Sequence, residues 1–322
     1  MIDSNGGSVY LPPLLFLGIY SNMILVKKYK RITGAVVCAI AAGIISGVAT
    51  PISKIVLSGN VSPESITIVK LTATASVLWI IGLFVPHIKT DRHLLIHLGG
   101  IGIGGMFVGT LLFYIGLNLS FPIEAGIINS YSPLWCIVVA ALWGKKGLHK
   151  KQGEGIAIAT VGLMVTIIFF GEWEHDIVHI IGNLLVMVSM IITATYTFAL
   201  EKLSSGLQLI HIYKWVYTFA AVGAIAVHIV FSGFAMPMQE TYGLIIVYMI
   251  YVCAVATPLS LVLHFAIQKR LTPKTINIYS YIQPLTGMIV AYNIGFNTLT
   301  IFDPIAIVII VGGYLLATRK IR

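Results

Sequence analysis

FPIEAGIINSYSPL, at Phe121 to Leu134, returns later in the chain as TPKTINIYSYIQPL, at Thr272 to Leu285. Sliding the sequence by 151 residues pairs Pro122 with Pro273, Ile127 with Ile278, Pro133 with Pro284 and Leu134 with Leu285. The register then holds without a gap, through Gly144 with Gly295, Leu148 with Leu299, Ile156 with Ile307, Ile158 with Ile309 and Gly162 with Gly313. An apolar chain that echoes itself in this way is built by duplication, as many membrane carriers are.

With 322 residues, 58% of them hydrophobic and 10% charged, the chain holds more apolar surface than one soluble core of that size buries. It is therefore a lipid-dissolved chain. At about 20 residues per helix its length accommodates about ten spans and little else. The net charge of +9 does not point to nucleic acid, because the basic residues cluster at the ends of apolar runs, where anionic headgroups lie. Cys38, Cys136 and Cys253 all fall inside apolar runs, so they read as small hydrophobes rather than a disulfide set or metal site. No CxxC, HExxH or Walker pattern occurs, and no cofactor is expected.

Residues 1–32 stand apart: LPPLLFLGIYSNMILV is short for a span and is followed by KKYKR, which fits a non-core extension that is interfacial, signal-like, an extra span or an upstream start. From Thr33 the apolar runs predict helices over 34–57, 65–85, 94–117, 122–143, 152–170, 179–200, 210–231, 243–267, 273–293 and 302–318. They are helices because an isolated stretch in lipid satisfies its backbone only within itself, and they lack the short alternating segments of a barrel. The expected fold is an all-α integral membrane protein of two five-helix repeats, 33–171 and 178–319.

Orientation follows from the lysines and arginines. Of the 20, 17 lie at alternate loop positions, from Lys27 and Lys28 through Lys145 and Lys146 to Arg319 and Lys320. The other three, Lys54, Lys70 and Lys214, sit within predicted helices, and the opposite loops carry Glu64, GEWEHD at 171–176 and Glu240. The positive-inside rule places both ends of the core in the cytoplasm, at the cell membrane. At the 151-residue shift the basic KKGLHKK meets uncharged FNTLTIF, whereas Asn118, Leu119 and Ile123 meet Lys269, Arg270 and Lys274. The apolar frame repeats while the charge changes side, as two halves of inverted topology require.

SPLWCIVVAALWG (Ser132 to Gly144) followed by IATVGLMV (Ile158 to Val165), in ten helices whose two fourth helices each hold a central proline, resembles the EamA-type branch of the drug/metabolite transporter superfamily. The resemblance covers about Thr33 to Arg319. It departs at Lys145 and Phe296, where both halves usually carry a glutamate. The resemblance implies export or exchange of small metabolites such as amino acids, without ATP hydrolysis.

A substrate site is expected near the bilayer midplane, where broken helices expose backbone and polar side chains. Asn129, Tyr131 and Ser132 precede Pro133, and Asn277, Tyr279, Tyr281 and Gln283 precede Pro284. Each proline frees a carbonyl about one turn earlier. Thr50 before Pro51 supplies a similar break, with Lys54 one turn on as a partner for a carboxylate. The competing reading is that such groups only bond between helices. Lys70 and Lys214 are expected to snorkel from near the helix ends. No Asp or Glu falls near the middle of a span, so coupling, if any, falls to a rim group such as Glu124 or His264. GIGIGG at 100–105 has no preceding strand to make it a nucleotide loop; Gly100/Gly104 and Gly105/Gly109 are expected to pack the third helix.

Three function classes compete. An intramembrane enzyme needs a nucleophile or metal set at depth, and no such grouping assembles. A sensor or scaffold needs a sizeable soluble domain, whereas the loops here run to about ten residues. A secondary carrier accounts for the repeat and the breaks, with a small-molecule substrate and the bilayer as its partners. The tyrosine-rich, weakly charged site favours neutral or zwitterionic solutes such as neutral amino acids, with nucleosides, sugars and lipophilic cations as alternatives. Oligomeric state is not legible.

Overall fold

The computed structural model describes residues 13–85, 90–143, 147–169, 177–203, 208–232, 243–268, 270–296 and 302–319. Side-chain surroundings are described from Ile32 onward, apart from those of 165–169, Ser232 and Pro273. The acidic segment 171–176, Glu240, Lys145 and Lys146 lie outside the described residues. The described chain is helical, with no β-strand: α1 (Pro13–Ser58), α2 (Pro63–Gly82), α3 (Arg92–Leu119), α4 (Pro122–Ser130), α5 (Ser132–Trp143), α6 (Lys150–Phe169), α7 (Ile177–Leu203), α8 (Leu209–Ser232), α9 (Gly243–Gln268), α10 (Pro273–Ser280), α11 (Ile282–Ile294) and α12 (Phe302–Ala317).

All ten anticipated runs are helical over most of their described residues, the exceptions being 83–85, Tyr131, Tyr281 and Thr318, but among the described residues length and composition single out six as membrane spans: Ile32–Ser58 within α1, α2, α3, α7, Leu209–Phe231 within α8, and α9. The pair α4 and α5, meeting at 41°, makes a seventh when taken as one broken span. Residues 13–31 continue α1 without a break, so the described part of the N-terminal extension and the first core helix form one helix.

Local chemistry sets the helix ends. Ser62 and Thr272 each accept a backbone hydrogen bond three residues on, from Ser65 at 3.1 Å and Thr275 at 3.3 Å, and each is followed by a proline at the first helical position. Gly295, at φ +84°, ends α11 in the left-handed region that glycine occupies without a steric penalty. The breaks at Tyr131 and Tyr281 arise where Pro133 and Pro284 withhold an amide from the preceding turn. At each break a serine, Ser130 or Ser280, turns its hydroxyl back onto the carbonyl three residues earlier, at 2.6 and 2.7 Å.

Packing repeats with the sequence. The α3–α7 contact has a counterpart in α9–α1, and α1–α11 has one in α7–α5, with first-half and second-half helices exchanged. The α6–α12 crossing is its own counterpart. It closes at two points, Gly155 against Gly313 and Gly162 against Ala306, and the 151-residue shift maps each point onto the other. A Cβ on Gly155 or Gly313 collides with the other's carbonyl oxygen, and one on Gly162 lies 2.9 Å from that of Ala306. π-helical turns at Ile101–Phe107 in α3 and Tyr251–Ala256 in α9 occupy matching positions in the two halves.

The glycines of α3 sort differently from expectation. Gly102, Gly105 and Gly109 face α7 and α8, with Val216 O 2.7 Å from a Cβ on Gly102, whereas Gly100 and Gly104 have nothing within 4 Å. Of the two pairs that spacing offered, Gly105/Gly109 packs and Gly100/Gly104 does not, because facing depends on helix phase as well as on spacing.

Candidate functional site

Between the halves lies a cavity of about 230 Å³, bounded by α1, α2, α3 and α4 of the first half and α7, α8, α9 and α11 of the second. An adjoining groove of about 230 Å³ shares Ser46, Tyr217, Thr257, Ser260 and Gln283 with it. Through His264 and Ile276 the groove meets a larger vestibule of about 730 Å³, whose lining includes His149, Gln152, Gln268, Lys274 and Thr318. Those residues stand at the helix ends where the basic residues gather. At the opposite, acidic end Val56, Leu57, Val61, Ile66, Leu117 and Ile123 are buried against one another. The route thus opens toward the basic end and is packed shut at the other.

The two broken helices converge on the central cavity. Asn129, two residues before the Tyr131 break, and Gln283, two residues after the Tyr281 break, both line it, as does Thr50, although α1 runs through Pro51 without the expected break. Tyr279 lines the groove and Asn277 the vestibule. The other anticipated residues are not among the lining ones. Tyr131 is buried, its hydroxyl 2.7 Å from Thr160 Oγ1 and 3.4 Å from Ile156 O on α6. Tyr281 is buried with its ring 5.8 Å from that of Tyr314. Ser132 opens α5 on the far side of the break.

Lys54, expected to meet a substrate carboxylate, instead donates to the carbonyls of Leu117, Asn118 and Ser120 at 2.9, 2.7 and 2.9 Å. It caps the C-terminus of α3, where the helix dipole and unpaired carbonyls attract a cation. Nearby, Glu124 is buried in the first turn of α4 and accepts a hydrogen bond from Asn183 Nδ2 at 2.6 Å. These contacts tie α1 to α3 and α4 to α7 at the acidic end. His264, by contrast, stands where groove meets vestibule.

Several lining hydroxyls are committed to their own helices: Ser53 to Ala49 O at 2.7 Å, Thr257 to Val252 O at 2.8 Å and Ser260 to Thr257 O at 3.0 Å. Asn129, Gln283, Thr50 and Lys70 make no side-chain hydrogen bond with the described residues. Lys70 joins them, although its sequence position did not mark it as a site residue. It was expected to snorkel, but it lines the cavity with Nζ 5.1 Å from the centre of the Tyr114 ring. Helix α2 begins at Pro63, not at 65, so Lys70 stands about 10 Å from the helix start. The Ser62–Pro63 cap was the available signal. Lys214 is buried with Nζ 4.4 Å from the Trp79 ring centre, a cation–π contact away from the cavity.

Among the described residues no cluster of three or more His, Cys, Asp or Glu is placed to hold a metal ion. The arrangement can enclose a small solute, offer it amide, hydroxyl and ammonium groups, and release it toward the basic end.

Comparison with known proteins agrees with this architecture. The EamA-like transporter family matches residues 33–168 and 180–319. A curated relative, "Uncharacterized transporter YyaM" of Bacillus subtilis (strain 168), is 31% identical over 111 residues, which span 34% of this chain and 36% of that one. A solved structure described only as "Crystal structure of protein" has 20% sequence identity and a TM-score of 0.63, over 89% of this chain and 96% of that one; at that identity the likeness is one of fold.

Proposed function

The chain belongs to the EamA-like transporter family, and on that premise we propose that this multi-pass membrane protein is a secondary carrier of small metabolites such as neutral amino acids. It works by alternating access between two inverted five-helix halves, with α6, the α10–α11 pair and α12 completing ten spans. Both ends of the core lie in the cytoplasm, in the cell membrane, and the direction is export or exchange. The observation that carries this reading is the cavity between the halves, onto which both proline-broken helices turn an amide side chain, Asn129 and Gln283. Broken helices that meet at a cavity are where carriers of this build hold their solute. A volume of about 230 Å³ falls below the roughly 300–1,000 Å³ of drug-sized pockets and suits a metabolite.

The vestibule at the basic end supports a cytoplasm-open arrangement, and the Lys54 and Glu124 contacts support closure on the outer side. No Asp or Glu lines the central cavity or its groove among the described residues, which favours passage down a gradient over protonation of a central carboxylate.

The test is uptake of labelled amino acids into proteoliposomes, with and without an imposed pH gradient, beside an Asn129→Ala/Gln283→Ala variant. Uptake of a neutral amino acid that collapses in the variant is the expected result. Loss of uptake on removing the pH gradient overturns gradient-independent passage, and absence of uptake across the amino acids overturns that substrate class.

A further inference from the structure

Resting on the carrier reading, we propose that Lys70 anchors the carboxylate of the substrate, and that among the small metabolites the carrier accepts, monocarboxylates whose remaining groups are uncharged or hydroxylated are moved in preference to zwitterionic amino acids. The first observation is position. Lys70 stands in α2 with Leu71, Thr74 and Leu78 buried on neighbouring turns, and its side chain lines the cavity between the halves. An intramembrane lysine raises the free energy of insertion, so one kept at a cavity has a partner to meet there.

The second observation is what surrounds it. Lys214 rests over Trp79 and Lys54 is bonded to three carbonyls, whereas Lys70 makes no hydrogen bond or ion pair with the described residues. Its ammonium lies over the face of Tyr114, with the Cys253 thiol in electrostatic range. A ring face attracts an ammonium but satisfies none of its three donors, which stay available to oxygen acceptors.

The third observation is charge balance. The described lining of cavity and groove holds one lysine, Lys70, and no Asp or Glu. A bound monocarboxylate neutralises the site. A zwitterion leaves one uncompensated positive charge in a low-dielectric enclosure, with only rings, hydroxyls and amides to hold its ammonium. Asn129 and Gln283 then serve the second polar group, and Tyr114, Tyr196 and Tyr217 the apolar body.

The experiment uses three probes that share one skeleton: 2-hydroxy-4-methylpentanoate, leucine and leucinamide. Their uptake is measured in proteoliposomes containing wild-type protein, Lys70→Met, Lys70→Arg or Lys214→Met. Wild-type is expected to move the hydroxy acid best, leucine less well and leucinamide least. Lys70→Met is expected to raise KM for both acids by on the order of 10- to 100-fold, the effect of removing one charged hydrogen-bond donor. Lys70→Arg is expected to retain the preference for acids, and Lys214→Met to leave the ranking unchanged. Should Lys70→Met not fold, ligand-induced thermal stabilisation of the wild-type protein gives a second readout, with the acids expected to raise Tm and the amide not. Equal handling of acid and amide by wild-type, or an unchanged KM in a folded Lys70→Met, overturns the assignment while leaving the carrier reading intact. Absence of movement and of stabilisation with all three probes overturns the assignment to this substrate class; an active amino-acid panel distinguishes that result from failure of the carrier reading itself.

Discussion

The phenol of Tyr131 shows how a residue beside a helix break can serve the fold rather than the substrate. Its hydroxyl bonds to Thr160 on α6, away from the cavity that Asn129 lines two residues earlier. Tyr131→Phe is therefore expected to lower stability by about 0.5–1.5 kcal/mol, the worth of one neutral hydrogen bond, and to leave substrate KM within about twofold. A thermal melt beside an uptake curve checks both halves of that statement; a collapse of uptake at unchanged Tm returns Tyr131 to the substrate site. Lys54 makes a parallel case with charge. Removing its three carbonyl contacts in Lys54→Met is expected to cost about 1.5–3 kcal/mol, toward the lower figure because the ammonium is partly exposed, and to loosen the acidic end. Thermal unfolding in detergent reads the first effect. That Pro133 and Pro284 break their helices was legible in the residues, because a missing amide acts on its own turn. That Tyr131 turns toward α6 and Lys70 toward the cavity was not, because rotation about the helix axis is set by neighbours distant in the chain.

Among the helices, the α6–α12 crossing carries the sharpest test, since two adjacent glycines of one helix meet opposite surroundings. Gly313 abuts the backbone of Gly155, and a Cβ there also lies 2.7 Å from Ala159 N, whereas Gly312 has nothing within 4 Å. Gly313→Ala is expected to lower stability by about 1–3 kcal/mol through overpacking against backbone that cannot yield. Gly312→Ala is expected to be neutral or to raise stability by about 0.5–1 kcal/mol, because alanine loses less conformational entropy in a helix interior. Paired melts decide; equal effects at the two sites would mean that the crossing is not as close as described. The 151-residue repeat pointed to this crossing through Gly162 and Gly313. The two π-turns, in contrast, have no sequence mark that separates them from ordinary apolar helix; in α3 the expected pair Gly105 and Gly109 packs, while Gly102 packs in place of Gly100 and Gly104.

On the scale of the whole molecule, the vestibule at the basic end defines a sidedness that chemistry can read. Cys136 on α5 lines that vestibule, while Cys253 is fully buried in α9. In a Cys38→Ala/Cys253→Ala background, a membrane-impermeant maleimide is expected to modify Cys136 in inside-out vesicles and not in intact cells. Modification from the outer face alone would invert the topology drawn from the lysines and arginines. The sequence by itself determined that the chain lives in lipid, that it is helical, that its two halves repeat with opposite charge placement, and that two helices break ahead of Pro133 and Pro284. Each of those properties follows from composition, from spacing along the chain, or from chemistry within one helical turn. Only the tertiary structure decided which face of each helix meets the cavity, and so put Lys70 in one cavity lining with Asn129 and Gln283 while sending Lys54, Tyr131 and Tyr281 elsewhere. The physical reason is the solvent: a helix that is apolar all round carries no wet face to orient it, and in a bilayer its rotation is fixed by glycine contacts, caps and interhelical packing that exist only once the helices have met.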